Sequence, residues 1–304
     1  MTQRIFVTGA SGYLGGAIAA RLARGGAEVH GLTRSPKGAT ALERAGIRPV
    51  VGDLADADSF LGALKNCDAA VHAAVDNNAW AERDQQALEA FRAAAQDGRL
   101  RRLLYTSGVW VLGDTGGAIA DETTPLDPAE LVRWRVAHEE VALDLVDDEV
   151  AVIVLRPALV YGEHRGILSG LFAEARAQQI VTIPGDGTQH WALVHRDDVA
   201  EAYRLALEHG KGGDRYLLAD DSRHTVREIG EAVARVTGAT LKRKPAATVR
   251  KELGAYGKAL LLDQQVSAGK ARRELGWVAR HASFVGESEA VYGEWQAGQK
   301  TAVA

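Results

Sequence analysis

The feature that most constrains the fold of this chain is a glycine-rich turn between an apolar strand pattern and a helical pattern. Residues 4–9 read RIFVTG and residues 13–26 read YLGGAIAARLARGG, so Gly9, Gly12 and Gly15 lie in the turn or at the helix start. Glycine lets the backbone bend sharply and come close to a ligand. The free N–H groups and the dipole of the following helix favour an anion. The turn therefore predicts a strand–helix unit that binds the diphosphate of a dinucleotide.

The alternation of strand and helix patterns continues through the first half of the chain. Further apolar strand patterns begin at Glu28, Pro49, Asp68, Arg101 and Val150, with helical patterns between most of them. Strands that are apolar throughout and separated by helices predict a parallel sheet covered on both faces. Right-handed crossovers make such a sheet doubly wound. We expect an α/β fold, a doubly wound parallel (Rossmann) sheet with a smaller C-terminal α/β substrate lobe.

The regular pattern loosens after Pro157, which suggests a division of the chain. We expect an NADP-binding Rossmann domain over residues 1–165, to which a late strand and helix within residues 190–220 return. The remaining segments, residues 166–189 and 221–304, are expected to build a substrate-binding lobe. The length of 304 residues suits this arrangement of one large α/β domain with a lobe.

Composition narrows the class of protein. The chain is 46% hydrophobic and 25% charged, and its net charge of −4 comes without a basic stripe, so nucleic acid is not an expected partner. The single cysteine, Cys67, excludes an intrachain disulfide and favours a reducing compartment. The first turn at Gly9 leaves little room for a signal peptide, and no run of ~18 apolar residues occurs. We expect a cytoplasmic protein without a membrane partner.

The end of the second strand pattern bears on the choice of nucleotide. An acidic residue about 20 positions after the glycine turn usually bonds the ribose 2′-OH of NAD. Here residues 31–35 read GLTRS, which places Thr33 there and Arg34 next to it. A guanidinium can pair with a 2′-phosphate, so NADP(H) is preferred, with NAD possible. Asp53, followed by Leu54, ends the third strand and could hold the adenine amino group or only cap a helix.

Several motifs together resemble the extended short-chain dehydrogenase/reductases, the group of NAD(P)-dependent epimerases, dehydratases and reductases. They are TGASGYLG from Thr8, GDL from Gly52, VHAA from Val71, LYTSG from Leu104, RPALVYG from Arg156, VHRDDVA from Val194 and KARRELGW from Lys270. The resemblance covers almost the whole length. It implies a nicotinamide cofactor, a small-molecule substrate and, often, a homodimer formed through two helices.

The resemblance also implies a set of cofactor-binding residues. They come from the glycine turn, from the turn after the fourth strand and from the segment beside the nicotinamide: Gly9, Ser11, Gly12, Tyr13, Leu14, Gly15, Ala73, Ala74, Pro157 and Tyr161. Tyr161 also has a plain packing explanation.

The chain departs from this family where the family's catalytic groups are expected. Family members use a Ser or Thr near the end of the fifth strand with a Tyr-x-x-x-Lys motif. Residues 134–138 read WRVAH, which puts Trp134 at the tyrosine position and His138 at the lysine position. An indole N–H only donates a hydrogen bond and cannot shuttle a proton. His138 could bind the ribose or act as a general acid, or be a packing residue. The hydroxyl position falls on Ser107 or, in another register, on Gly108.

Candidate substrate-pocket residues follow the strands at their carboxyl ends or are aromatic. They are Asp76, Asn77, Trp110, Trp134, His164 and Trp191. The carboxyl edge of such a sheet is where ligands bind, and tryptophans give a pocket an apolar, stacking character. Each also has an explanation without function. The polar residues could be solvated loop residues, and the tryptophans could pack in the core.

Three functions fit these patterns. The first is an atypical NADP(H)-dependent oxidoreductase acting on a small carbonyl or alcohol, with Ser107 polarising the carbonyl and His138, water or a substrate group moving the proton. The second is an NAD(P)-dependent epimerase or dehydratase. The third is a non-catalytic NADP(H)-binding sensor, which a retained glycine turn with a missing Tyr-Lys pair would suggest.

Overall fold

A computed structural model of the protein describes residues 2–75, 79–147 and 149–303. Its strands are β1 (Arg4–Thr8), β2 (Glu28–Thr33), β3 (Arg48–Val51), β4 (Ala69–His72), β5 (Arg102–Thr106), β6 (Ile119–Ala120), β7 (Ala151–Pro157), β8 (Leu159–Tyr161), β9 (Ile180–Pro184), β10 (Leu193–His195), β11 (Arg215–Leu218), β12 (Thr240–Lys244) and β13 (Gln265–Val266).

The helices alternate with these strands. They are α1 (Tyr13–Arg24), α2 (Pro36–Arg44), α3 (Asp58–Lys65), α4 (Trp80–Asp97), α5 (Arg133–Leu143), α6 (Ile167–Gln178), α7 (Arg196–His209), α8 (Val226–Thr237), α9 (Ala246–Leu260), α10 (Gly269–Leu275) and α11 (Ser288–Val303). Short 3₁₀ turns at Val109–Leu112 and Glu130–Val132 follow β5 and precede α5.

The central sheet has seven strands in the order β11-β7-β5-β4-β1-β2-β3, and every pair is parallel. The chain winds outward from β1 in one direction through β2 and β3, then returns to start β4 on the other side of β1. This reversal leaves a crevice at the carboxyl ends of β1 and β4, where ligands of such sheets bind. The predicted doubly wound Rossmann sheet is confirmed.

Alternate residues of each central strand face opposite layers of helices. Ile5 and Val7 of β1 belong to the core beneath α1 and α7, whereas Phe6 belongs to the core beneath α3 and α4. All three are 1% exposed or less. The period of two along a strand explains why strands buried on both faces read as continuous apolar runs.

The C-terminal lobe has its own apolar core, in which α6, α8 and α11 pack around the parallel pair β9–β12. The segment from β13 to Trp277 lies elsewhere. It follows the lobe helices in sequence, yet β13 pairs with β6 and α10 packs on α7 and β11. Trp277 is fully buried in the core of the sheet, and its indole N–H donates to Asp198 O at 2.8 Å. Apolar burial thus draws part of residues 221–304 onto the Rossmann domain.

None of the helices in the described ranges of the chain has the length and apolar character that a membrane crossing requires.

Candidate active site

A cleft with a volume of about 820 Å³ opens at the carboxyl edge of the sheet. Its wall is built from the glycine turn after β1, the ends of β2 and β3, the turn after β4, the segment after β5, and parts of α5, α6 and α9. One end of the cleft therefore lies over the predicted dinucleotide site and the other is closed by the C-terminal lobe. This is a single continuous space in which a dinucleotide and a small substrate could lie together.

Most of the residues predicted from the sequence to bind a cofactor lie on this wall, together with two of the predicted catalytic or substrate residues. They are Gly9, Ser11, Gly12, Tyr13, Leu14, Thr33, Arg34, Asp53, Leu54, Ala73, Ala74, Pro157, Ser107 and Trp110. Asp76 and Asn77, which were predicted to line the substrate pocket, lie outside the described residues.

The glycine turn is shaped by close backbone contacts that leave no room for side chains. Gly9 has a φ of +70°, and a Cβ there would lie 2.6 Å from Ala73 O of the neighbouring turn. Gly12 N donates to Gly9 O at 2.8 Å, and α1 begins one residue later. Gly15 does not line the cleft, but a Cβ on it would come within 2.3 Å of Gly9 O. The turn and the start of α1 are thus packed as a diphosphate cradle requires.

No carboxylate stands at the end of β2, where a ribose 2′-OH would be bound. Thr33 is buried, and Arg34 is exposed at the rim of the cleft. Ser35 then caps α2 by accepting a hydrogen bond from Gly38 N at 3.1 Å. At the end of β3, Asp53 Oδ1 accepts from Ala55 N at 2.9 Å, so this carboxylate also shapes its own turn.

The end of β5 presents a buried hydroxyl to the cleft. Ser107 is 8% exposed, and within the described residues its Oγ has no hydrogen-bond partner. Its backbone N–H donates to Leu155 O at 2.8 Å, which holds the residue at the sheet edge. The neighbouring Thr106 hydroxyl is already paired with Tyr203 OH at 2.6 Å. Ser107 rather than Gly108 therefore offers the hydroxyl, and its orphaned oxygen is suited to a ligand carbonyl.

The cleft wall at the start of α5 is formed by other residues than those predicted from the Tyr-x-x-x-Lys motif. The cleft is lined there by Leu131, Val132 and Arg135, whereas Trp134 and His138 are not among its described lining residues. Neighbouring helical residues point about 100° apart, so a shift of one position from Trp134 to Arg135 changes the exposed group from indole to guanidinium. Positions 131 and 135 have the spacing of the family's Tyr-x-x-x-Lys, and they carry a leucine and an arginine.

Arg135 is held in place at the cleft wall. Its Nη1 donates to Thr106 O at 2.9 Å, and its guanidinium lies 4.5 Å from the centre of the Trp134 ring. A cation over an indole face is favourable. Trp134 thus supports the arginine rather than facing the cleft itself, and its own indole nitrogen has no partner among the described residues.

His138 belongs to a buried polar network under the cleft. Its Nδ1 lies 2.8 Å from Asp84 Oδ2, which also accepts from Tyr105 OH at 2.7 Å. Asp84 Oδ1 lies 3.0 Å from His72 Nε2, and His72 Nδ1 lies 2.8 Å from Thr8 Oγ1. Burial would raise the pKa of Asp84, but hydrogen bonds from His138 and His72 outweigh it and hold this pKa well below its usual range. The network ties the strand before the glycine turn to α5.

Asp84 was not identified from the sequence as part of a polar network, although its position in the helical pattern indicates one. It lies three and four residues before Ala87 and Leu88 on the apolar face of α4, where a carboxylate must find partners when buried. A single aspartate or glutamate on the apolar face of a helix indicates a buried polar network.

Three other predicted site residues are not on the wall of this cleft: two are buried, and His164 lines a smaller pocket beside Ser11 and Tyr13. Tyr161 is fully buried with its ring edge against His195, and Trp191 is 4% exposed and donates its indole N–H to Leu260 O at 3.1 Å. His164 is half-buried, and it faces Gly298 of α11.

The structure also brings Arg165 and Tyr256 to the cleft wall, of which Tyr256 was not predicted from the sequence. Arg165, after β8, lines both the cleft and a smaller pocket beside Ser11 and Tyr13, so its guanidinium lies near the diphosphate cradle. Tyr256, from α9 in the lobe, lines the other end. Nothing in the local sequence around Tyr256 indicates a site, because its position depends on the packing of the lobe.

Comparisons with known proteins agree with this architecture. The profile of the NAD dependent epimerase/dehydratase family matches residues 5–219. An uncharacterised protein of Schizosaccharomyces pombe is 30% identical over 300 residues, which cover 93% of this chain and 97% of that protein. The 4-hydroxy-2-methyl-3-oxo-4-farnesyl-3,4-dihydroquinoline-1-oxide ketoreductase of Stigmatella aurantiaca is 29% identical over 72% of this chain and 68% of its own length.

Among solved structures, the dTDP-glucose 4,6-dehydratase DesIV of Streptomyces venezuelae, solved with NAD and TYD bound, superposes with a TM-score of 0.84. The match covers 98% of both chains at 21% identity, which shows a shared fold.

Proposed function

The chain belongs to the NAD dependent epimerase/dehydratase family, and on that premise we propose that it is an NADP(H)-dependent oxidoreductase acting on a small carbonyl or alcohol substrate. The observation that carries the proposal is the buried, unpartnered Ser107 hydroxyl in the same cleft as the glycine turn. A hydroxyl there can bond a substrate carbonyl while the dinucleotide occupies the other end. The similarity to a ketoreductase supports carbonyl chemistry over sugar epimerisation.

The residues present fit a nicotinamide dinucleotide. The turn from Gly9 to Gly12 would place its amides around the diphosphate, since a Cβ at Gly9 would fill the space against Ala73. Arg165 adds a positive charge beside the turn. Arg34, at the rim after β2, would pair with a 2′-phosphate. When bound, the cofactor would supply or accept the hydride.

Ser107 and Arg135 would act on the substrate oxygen. The Ser107 hydroxyl would donate a hydrogen bond to the carbonyl and orient it. The Arg135 guanidinium, fixed by Thr106 O at 2.9 Å, would place a positive charge at the same wall of the cleft and stabilise negative charge that develops on the oxygen. A positioned donor of this kind contributes most when the group is already held in place.

The test is an NADPH fluorescence titration followed by NADPH oxidation with a panel of aldehydes and ketones. We expect Ser107→Ala to lower kcat/KM by about 100-fold, the scale of one lost donor to the reacting oxygen, with NADPH affinity unchanged. Ser107→Thr retains a hydroxyl and should recover part of the rate. Tight NADPH binding with no reduction of any carbonyl in the panel would overturn the proposal and favour the sensor hypothesis.

The preference for NADP(H) has a separate test. Arg34→Ala should weaken NADPH binding by about 10- to 100-fold, the value of a charge-assisted hydrogen bond, and leave NADH binding nearly unchanged. Arg44→Ala removes an exposed arginine from the far end of α2 and serves as the charge-matched control. An equal loss for both nucleotides in Arg34→Ala would remove the case for a 2′-phosphate contact.

Homodimer formation and a cytoplasmic location stay predictions. Light scattering on the purified protein would test the first.

A further inference from the structure

The wall of the cleft at the start of α5 carries Leu131, Val132 and Arg135, and none of these three side chains can supply the proton that a carbonyl reduction needs. We propose that Tyr256 of α9, which shares the cleft with Ser107 and packs its ring against Trp110, is the proton donor of this site. This inference rests on the proposed oxidoreductase function. It places the catalytic phenol on the C-terminal lobe instead of on α5.

Elimination among the described lining residues points to Tyr256. Tyr13 already donates its phenol proton to Gly162 O at 2.8 Å. Asp53 lies at the end of β3, toward the adenine, and one of its oxygens accepts from Ala55 N. The arginines on the wall stay protonated at any accessible pH and are poor acids. Tyr256 is the remaining lining residue with a proton of suitable acidity, and no described residue hydrogen-bonds its hydroxyl.

The contact with Trp110 places Tyr256 near the Ser107 side of the cleft. The two ring centroids are 6.2 Å apart with an interplanar angle of 68°, an edge-to-face arrangement. Trp110 lies in the 3₁₀ turn three residues after Ser107, and both line the cleft. The three side chains thus line the same cleft, with Tyr256 in contact with Trp110.

A break in α9 lies two residues before Tyr256. Gly254 has φ +55° and ψ −131°, a conformation that side-chain-bearing residues rarely adopt. A Cβ at Gly257 would lie 2.4 Å from Val249 O, so the two halves of α9 fold closely against each other. The second half is held by an ion pair between Lys258 and Glu130 at 2.7 Å, just before Leu131. Tyr256 therefore lies in the second half of a broken helix that folds back on the first half, and it lines the cleft.

In the proposed reduction of a carbonyl to an alcohol, each transferred hydrogen has a donor. When bound, the reduced nicotinamide dinucleotide would supply the hydride to the carbonyl carbon, and the C=O π pair would move to oxygen. That oxygen takes the Tyr256 O–H proton, which yields the alcohol and a phenolate. Burial raises the pKa of the Tyr256 phenol, so the phenol stays protonated at neutral pH, and the alkoxide that forms on the carbonyl oxygen is a strong enough base to take this proton. The residue is still 39% exposed, so water can return the proton.

The first test compares Tyr256→Phe with wild type on a ketone that the wild type reduces. We expect kcat to fall by about 100-fold, within the usual contribution of a general acid, while NADPH affinity stays within about twofold because the ring is retained. Tyr292→Phe is the matched control, since Tyr292 packs on Phe172 and Trp295 in the lobe core. A Tyr256→Phe enzyme with more than a third of wild-type kcat overturns the assignment.

The second test does not depend on turnover. Protein labelled with 3-fluorotyrosine is titrated with pH by fluorine NMR, and the Tyr256 resonance is identified as the one missing from Tyr256→Phe. Saturating NADP⁺ places a cation on the nicotinamide ring, so the pKa of Tyr256 should fall, whereas that of Tyr292 should not. An unchanged Tyr256 pKa at full NADP⁺ saturation overturns this inference but leaves the proposed function standing. Failure of NADP⁺ to bind overturns both.

Discussion

The substitution Gly15→Ala tests the geometry on which the cofactor site depends. The added Cβ would lie 2.3 Å from Gly9 O, about 1 Å closer than ordinary van der Waals contact. Gly9 O also accepts from Gly12 N at 2.8 Å, so the turn cannot move without disturbing its own closing hydrogen bond. Either α1 or the turn must shift, and the amides of the turn then leave the positions that a diphosphate needs.

The expected size of the effect follows from the hydrogen bonds that are lost. Each amide bonded to a charged diphosphate oxygen is worth about 1.5–3 kcal/mol. Misplacing two of them should weaken NADPH binding by at least ~100-fold, since about 1.4 kcal/mol corresponds to a factor of ten. The assay is an NADPH fluorescence titration, with the melting temperature and circular dichroism measured on the same samples.

Gly16→Ala is the matched control. Its Cβ would lie 3.2 Å from Ala10 O, so a shift of a few tenths of an ångström accommodates it. Alanine also favours the helix by about 1 kcal/mol over glycine. NADPH affinity should stay within threefold, and the melting temperature should not fall.

If a folded Gly15→Ala protein binds NADPH within threefold of wild type, the close packing of Gly15 on Gly9 does not determine cofactor affinity. Should Gly15→Ala fail to fold, Gly12→Ala decides the matter. Its Cβ would lie 3.0 Å from Gly9 O, a milder contact that predicts an intermediate loss of affinity. Affinity equal to wild type in Gly12→Ala would argue against the cradle in the same way.

Two further predictions concern stability. Burial raises the pKa of Asp220 to about 7, above its unfolded value of about 4, so its ionisation lowers the free energy of unfolding as pH rises between the two. Asp220→Asn should therefore be more stable than wild type by about 2–4 kcal/mol at pH ~8 and not at pH ~4 in urea unfolding; an equal difference at both would contradict this. Glu139 pairs with buried Arg156 through contacts of 3.0 and 2.5 Å. Glu139→Ala should lower the free energy of unfolding by about 3–5 kcal/mol, and Glu140→Ala, which removes only the exposed partner of Arg215, by less than about 1 kcal/mol. Similar losses for the two variants would show that burial of the Glu139 pair is not what matters.

The sheet could be read from the sequence because its signals are local. The turn from Gly9 to Gly15 is contiguous, and its conformation depends on which residues lack a Cβ. Likewise, a buried strand such as β1 needs apolar side chains on both faces, so its pattern survives without knowledge of its neighbours. Arg34 could be placed at the end of β2 by counting, because strand length and turn position are set within one strand–helix unit.

The residues that line the lobe end of the cleft could not be predicted from the sequence, because contacts between distant parts of the chain determine them. Motif counting placed Trp134 and His138 on the cleft, but the lining residues there are Leu131 and Val132 of the 3₁₀ turn and Arg135 of α5. The orientation of this short helix depends on what it packs against, including the network around Asp84, which lies 54 positions before His138 in sequence.

The position of Tyr256 could not be predicted from the sequence either. It comes to the cleft wall from 149 positions after Ser107, through a helix break at Gly254 and the docking of the lobe. The sequence alone determined the sheet and the dinucleotide cradle, because these are set by neighbouring residues. Which side chains line the lobe end of the cleft followed from the three-dimensional packing, because it depends on how elements that are distant in sequence contact each other.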